Sequence, residues 1–385
     1  MPIKRKLYLP IKQSLKSGKS VLLLGPRQTG KSTLSRDLKP DLEFNLANES
    51  VFLEFAKDPN FLASQIRLKA KNRGLVFIDE IQRQPKLMNT AQDLIDSNKE
   101  LKFILTGSSA RKLRRGQANL LPGRVHSYEL NPLISSEVDY AMDTEDVLAL
   151  GTLPGIFVDE DTRNIKRTLK SYAITYLQEE IKSEALTKNL DGFTRFLFSI
   201  AADSTKFVDL SKISKNIGVP RQTVQRFFEI LEDTLLIHRC LSFAKSDKRR
   251  LIQHPRFFFF DNGVLNSLLG SYNASADRRG FLFENLFFNQ LRSSLAASDL
   301  DYRLSSYRTE GGAEVDIVLE IESNIYALEV KSGAFSRKDL AGLKSLRDFV
   351  GKKVIPYVII PEGYHRAIDD IEVIPWQSFL KNLHI

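Results

Sequence analysis

One stretch constrains this chain more than any other: Gly25-Pro26-Arg27-Gln28-Thr29-Gly30-Lys31-Ser32, between the apolar run Val21–Leu24 and a helical pattern from Ser32 to Leu38. Glycines at both ends let backbone N–H groups curl around an anion. A helix that opens there adds its positive end. The spacing G-x-x-x-x-G-K-[ST] therefore predicts a strand–loop–helix unit that holds phosphate. Lys31 would reach the outer phosphates, and the Ser32 hydroxyl would ligate Mg²⁺. Gly25, Arg27, Gln28, Thr29, Gly30, Lys31, Ser32 and Thr33 form the expected nucleotide-binding set. A glycine turn with a chance lysine is the bland alternative; the flanking strand and helix argue against it.

Leu75-Val76-Phe77-Ile78-Asp79-Glu80 supplies a second half: a buried strand ending in two acids. Asp79 would hold the metal through its water shell, and Glu80 would act as a general base on water. An adjacent glutamate favours hydrolysis of ATP over transfer to a small acceptor, so a small-molecule kinase is disfavoured. Phe103-Ile104-Leu105-Thr106-Gly107-Ser108-Ser109 is another strand ending in hydroxyls. Thr106 or Ser108 could sense the γ-phosphate; a plain strand-end turn fits the same residues. Arg111, Lys112, Arg114 and Arg115 follow, then Pro122-Gly123-Arg124. Arg124 on its glycine turn is a candidate finger on a neighbour's nucleotide, which would require a homo-oligomer. Most surface arginines are merely solvated.

At 385 residues the chain is too long for one ordinary core, and two or three domains are expected. The net charge of +9 favours polyanionic partners such as DNA. The only cysteine, Cys240, rules out a disulfide framework within the chain. Lys4, Arg5 and Lys6 have no apolar run behind them, so no secretory signal is expected. No apolar stretch reaches membrane-spanning length. A cytoplasmic setting with no membrane partner fits best. The buried runs Val21–Leu24, Leu75–Ile78 and Lys102–Leu105 predict an α/β layer with a parallel sheet. Gly151-Thr152-Leu153-Pro154-Gly155 is turn-rich. We expect domains over 1–160, 161–245 and 246–385.

Residues from about 166 to 240 read as helical, with apolar spacing through Tyr172, Tyr176, Ile181, Phe193, Phe196, Leu197 and Ile200. Asp209 is an expected N-cap and Gly218 a helix stop. A second helix starts at Arg221 and runs apolar through Phe227, Phe228, Ile230 and Leu231. This is helix-turn-helix spacing, with Leu236–Cys240 as a wing strand. Arg221, Gln222, Gln225 and Arg226 are candidate DNA contacts; packing against a neighbour explains the same helix equally well. The basic run Lys245, Lys248, Arg249 and Arg250 reads first as a solvated loop.

The last third predicts aromatic strands, a helix over Phe281–Leu291, a hairpin over Ala313–Lys331 and a strand over Lys353–Ile360. With Glu322-Ser323 as the turn, Ile321 pairs with Asn324, Leu319 with Tyr326, Ile317 with Leu328 and Val315 with Val330. Glu314 then faces Lys331, and Asp316 faces Glu329. Two opposed carboxylates repel. A divalent metal would relieve them, with Lys331 beside it and Glu284 from an apolar helix as a further acid. The alternative is a charged, solvent-facing side of the hairpin.

Residues 20 to about 135 resemble the core of AAA-family P-loop ATPases, through Gly-Pro-Arg-Gln-Thr-Gly-Lys-Ser, Phe-Ile-Asp-Glu-Ile-Gln, Leu-Thr-Gly-Ser-Ser and Gly-Arg in that order. The last third resembles the domain of unknown function that commonly follows this ATPase. Its marks are Phe283-Glu284-Asn285, Tyr307-Arg308-Thr309, Gly312-Ala313-Glu314-Val315-Asp316 and Leu328-Glu329-Val330-Lys331-Ser332. The likeness implies an α/β chain in three parts: a P-loop NTPase core, a helical winged-helix middle and a restriction-endonuclease-like domain of the PD-(D/E)xK type. There Asp316, Glu329 and Lys331 match the metal-and-lysine set, with Glu284 the helical acid. The expected activity is ATP hydrolysis with Mg²⁺ that remodels or senses DNA, single-stranded or branched, with a nuclease-like C-terminal domain. The alternative is an ATP-gated DNA-binding or protein-docking switch that does not cut.

Overall fold

The computed structural model describes residues 3–58, 60–69, 73–108, 121–173, 190–244, 255–351 and 354–385. Ser109, Arg111, Lys112, Arg114, Arg115, Tyr176, Ile181, the run Lys245–Arg250 and Lys353, all singled out above, lie outside the described residues. The chain divides into two compact units: residues 1–131 with 233–235, and residues 132–232 with 236–385.

The first unit is a five-stranded sheet, β1 (Ser20–Leu24), β2 (Leu42–Asn45), β3 (Gly74–Asp79), β4 (Leu101–Gly107) and β5 (Val125–Glu129), in the order β2-β3-β4-β1-β5. Every pairing is parallel. The strands of a parallel sheet are buried on both faces, which is why β1, β3 and β4 read as unbroken apolar runs. Val76, Ile78, Phe103 and Leu105 are wholly buried. Helices α1 (Tyr8–Lys16), α2 (Lys31–Asp37), α3 (Glu49–Lys57), α4 (Phe61–Lys69) and α5 (Leu87–Ser97) complete the unit. Phe44, Phe55 and Phe61 meet edge-on, with centroids 5.0–6.4 Å apart. A buried phenylalanine contributes about 1.5–3 kcal/mol. The short edge strands β2 and β5 were not anticipated: apart from the buried Phe44 their residues are half-buried or exposed, and neither has an apolar run.

The second unit carries an eight-stranded mixed sheet, β6 (Ile237–Ser242), β7 (Arg256–Phe259), β8 (Tyr302–Arg308), β9 (Glu314–Ile321), β10 (Asn324–Val330), β11 (Val354–Ile360), β12 (Arg366–Ile368) and β13 (Ile371–Pro375), in the order β12-β13-β11-β10-β9-β8-β6-β7. Helices Leu210–Ile217 and Arg221–Asp233 bracket a turn in which Gly218 has φ +67°. Asp209 caps the first, accepting from the Ser211 and Lys212 N–H groups. The strand expected over Leu236–Cys240 is β6; it pairs antiparallel with β7 and parallel with β8. The apolar helix is longer than expected, Ala276–Ala297. The reason is that its flanks, Asp277 to Arg279 and Ser293-Ser294, lack the aromatic run that marks its centre.

The β9–β10 register matches the sequence reading at Ile321–Asn324, Leu319–Tyr326 and Ile317–Leu328. Beyond Ile317 the reading needs correction. The β8–β9 pairing shifts between Ser305 and Tyr307, which places an additional residue in β9. The Val330 N–H then goes to the Asp316 carboxylate, at 2.8 Å from Oδ2, rather than to a ladder partner. The acidic end of the hairpin does not face solvent either. Glu329 is 6% exposed, and Val318 and Ala327 alongside it are fully buried with Leu343 and Leu346.

Candidate nucleotide site and a buried carboxylate cluster

The parallel register sets the chemistry of the first unit. Leu23 lies beside Thr106, Leu24 beside Gly107, and Asn45 beside Asp79. The C-terminal ends of β1, β3 and β4 therefore deliver the loop, the Asp79-Glu80 pair and Thr106 to one rim. In open parallel sheets this rim is where ligands bind.

The loop needs its glycines. A Cβ on Gly25 would lie 2.2 Å from the Leu130 carbonyl oxygen, and Gly30 has φ +93°. Thr29 is fully buried, and its hydroxyl donates to the Pro26 carbonyl at 2.9 Å. Lys31 is 5% exposed, and its Nζ donates to the Gly25 and Pro26 carbonyls at 2.9 and 2.8 Å. Thr33 and Gln28 are exposed, and Arg27 is half-buried. The Ser32 hydroxyl donates to Asp79 Oδ2 at 2.7 Å, and Thr106 donates to Asp79 Oδ1. A hydroxyl and a carboxylate facing each other at the loop are hard oxygen donors. Mg²⁺ takes such donors sparingly and fills its octahedron with water and substrate phosphates. The residues fit that ion, with Ser32 and Asp79 as its protein side.

Glu80 has φ +59°, which turns it out of the strand. Gln82, in the 3₁₀ turn Ile81–Arg83, donates through Nε2 to the Glu80 carboxylate and to Ser108 Oγ, the latter at 3.0 Å. Gly107 leaves room for it: a Cβ there would lie 2.8 Å from Gln82 Oε1. Sequence reasoning missed Gln82, although Asp-Glu-Ile-Gln stood in view. It also missed Arg5, which donates to the Thr29 and Asn131 carbonyls and ties the loop to the end of β5. Arg124 lies elsewhere. Its residue precedes Val125, which pairs with Ser20 at the start of β1, the end of the sheet remote from the loop. Its guanidinium makes a bidentate pair with Asp96, at 2.6 and 2.8 Å.

In the second unit, Arg221, Gln222, Gln225 and Arg226 share the exposed side of their helix, while Val224, Phe227, Phe228, Ile230 and Leu231 are buried. The acids expected to hold a metal lie near one another, with an unexpected neighbour. Arg256 of β7 is 3% exposed. Its Nη2 donates to Glu284, its Nε to the Thr205 carbonyl and its Nη1 to the Asp316 carbonyl at 3.1 Å. Nη1 also lies 3.8 Å from Asp316 Oδ1. Burial alone would lower Arg256; the Glu284 and Asp316 carboxylates outweigh it and hold the guanidinium charged. Burial pushes Glu284 up to about 7 against the pull of Arg256. Glu329 pairs with Lys331 at 2.7 Å, and burial, with Asp316 adding to it, pushes its carboxyl up to about 8. Its Oε2 is buried without a hydrogen-bond partner. Among the described residues, no group of three or more His, Cys, Asp or Glu side chains is gathered closely enough to hold a metal ion. Asp316 Oδ2 is held by the Val330 N–H and Glu329 Oε1 by Lys331, so the expected divalent ion would have to displace these donors.

Comparison with known proteins agrees with the first unit's geometry. Residues 17–138 match the AAA domain family. The AAA match takes in the loop, Asp79-Glu80 and Thr106 together. Residues 142–275 and 279–379 match two domains of unknown function, DUF8612 and DUF4143. Uncharacterized proteins of Mycobacterium tuberculosis and Mycobacterium bovis are each 27% identical over 384 residues, covering 96% of this chain and 83% of theirs. A Walker-type ATPase of Pyrococcus abyssi superposes with a TM-score of 0.50 at 17% identity, over 70% of this chain and 96% of its own. That likeness shows a shared fold, and with the AAA match it supports an N-terminal AAA-type ATPase domain. No described helix is long and apolar enough to cross a membrane.

Proposed function

We propose that this protein binds ATP with Mg²⁺ at the loop after β1, hydrolyses it, and uses the turnover to remodel or sense DNA. The observation that carries the reading is the hydrogen-bonded cluster of Ser32, Asp79 and Thr106 at the sheet rim, with the Glu80 N–H on Thr106 and Lys31 held on the carbonyls of the adjoining loop. Bound Mg²⁺ would neutralise charge on the phosphates. The chain's own part is as follows. Loop N–H groups and Lys31 hold the phosphates, Ser32 and Asp79 present oxygens toward the ion, and Glu80 accepts a proton from water. Lys31 must first exchange its two loop carbonyls for phosphate oxygens.

DNA is proposed as the partner from the net charge of +9 and from the exposed Arg221, Gln222, Gln225 and Arg226 on a helix in helix-turn-helix spacing. Phosphate release with and without single-stranded, duplex and branched DNA tests both halves. Turnover is expected to rise with at least one DNA form and to fall ~100-fold or more in Lys31→Ala. Turnover indifferent to all DNA forms would remove DNA from the reading; none in the intact protein would remove ATP hydrolysis.

A second reading is an ATP-gated DNA-binding or docking switch that does not cut. Arg256 against Glu284 and Asp316 favours it. Mg²⁺- or Mn²⁺-dependent nicking of plasmid, lost in Asp316→Ala, would decide for cutting.

A further inference from the structure

Glu284, Asp316 and Glu329 come from a helix, from β9 and from β10; Arg256 lies between the first two, and Lys331 pairs with the third. Three acids so placed need positive charge. We infer that the Arg256 guanidinium is the resident cation between Glu284 and Asp316, beside the Lys331 that serves Glu329, and that the C-terminal part of the chain holds these carboxylates together without a divalent metal.

The guanidinium is fixed on every side. Its nitrogens are bonded to Thr205, Asp316 and Glu284. Its carbon lies 5.5 Å from the Phe207 ring centroid and 5.3 Å from that of Phe258. Its backbone is locked by strand pairing, opposite Cys240 in β6 and bridged to Phe207. A surface arginine beside a metal site could swing into water. This one would have to shed its charge-assisted bonds and two ring contacts, from a position only 3% exposed.

The carboxylate oxygens tell the same story. Asp316 Oδ2 is taken by the Val330 N–H and Glu329 Oε1 by Lys331. Mg²⁺ needs oxygens at ~2.0–2.1 Å around a single point. A planar guanidinium instead donates to oxygens spread along its fork, as Arg256 does to Glu284 and to the Thr205 and Asp316 carbonyls. The arginine does the tying that a metal would do: it joins β7, β9, the helix Ala276–Ala297 and the segment at Thr205. With no metal-bound hydroxide formed there, the cluster is a structural tie and not a cutting centre. The inference does not rest on the ATPase reading, because every residue in it belongs to the second unit.

The test uses the full nucleotide-free chain and Mn²⁺, with free Mn²⁺ read by electron paramagnetic resonance. Wild type and Asp316→Asn are expected to bind the same amount, so that any Mn²⁺ elsewhere cancels. One more ion per chain in wild type than in Asp316→Asn would overturn the inference. Arg256→Gln gives a second measurement. Its melting temperature is expected to fall by ~5–10 °C, because two carboxylates lose their cation, and Mn²⁺ is expected to raise it by more than any shift it gives wild type. An Arg256→Gln protein that melts like wild type would sink the claim that the arginine ties the cluster. Should that variant fail to fold, the wild-type comparison still decides.

Discussion

Gln82 shows how much one side chain can add to a motif. The general base proposed here, Glu80, sits on a left-handed residue just past β3, its N–H on the Thr106 hydroxyl of β4. The Gln82 amide holds it, and the Ser108 hydroxyl holds the amide. Gln82 is 6% exposed, and its amide donates to Glu80 and Ser108, which lie outside the phosphate loop. Its loss should therefore loosen the base without loosening the nucleotide. We expect Gln82→Ala to lower kcat for phosphate release ~10-fold or more and to leave KM for ATP within about 2-fold. Equal changes in both parameters would assign Gln82 to binding instead. Glu80→Gln should lower kcat by ~10²–10⁴ while nucleotide binding survives. Cys240 gives a simpler check. Burial pushes its thiol up to about 12, so a thiol reagent should label it only after the second unit unfolds. Rapid labelling of the native protein would show that the β6–β7 pair opens readily.

At the scale of elements, the features that could be read from the sequence are the local ones. The phosphate loop, the Asp209 cap, the Gly218 stop and the three central β9–β10 pairs each depend on residues close in sequence, where backbone geometry leaves few choices. Arg256 was not legible. Its partners are 28 and 60 residues away, and a lone arginine before Phe257–Phe260 reads as the edge of an apolar run. The same limit explains why the pairing of Arg124 with Asp96, 28 residues apart, was not foreseen. A finger on a neighbour's nucleotide would have to compete with that carboxylate. The helix Arg221–Asp233 allows a sharper test, because its inward side is fixed by Phe227 and Phe228 against Phe193 and Phe196. Its outward arginines can be changed without touching that core. We expect Arg221→Glu with Arg226→Glu to weaken DNA binding and to reduce the slope of log affinity against log salt by ~2, with melting unchanged. An unchanged slope would take this helix out of the DNA interface and leave it a packing element.

At the scale of the whole molecule, buried acids with raised pKa values gather in the second unit. Burial pushes Asp261 up to about 6, although the Thr152 and Val264 N–H groups hold its carboxylate at 2.7 and 3.0 Å. Glu284 and Glu329 are pushed the same way, to about 7 and about 8. Each group binds its proton more tightly in the folded chain than in the unfolded one. Between the ordinary carboxylate range and about pH 8 the folded state therefore carries the extra protons, and unfolding free energy falls as pH rises. The stabilisation is fully present below pH ~4 and lost as pH passes through about 6, 7 and 8 in turn. The only tryptophan, Trp376, is fully buried in the same unit and reports its unfolding by fluorescence. We expect the urea midpoint followed by Trp376 to be lower at pH 8.5 than at pH 6. Asp261→Asn should flatten the part of that fall that lies below pH ~6.5. A midpoint that climbs over the same interval would mean that these acids are ionised and satisfied in the folded chain.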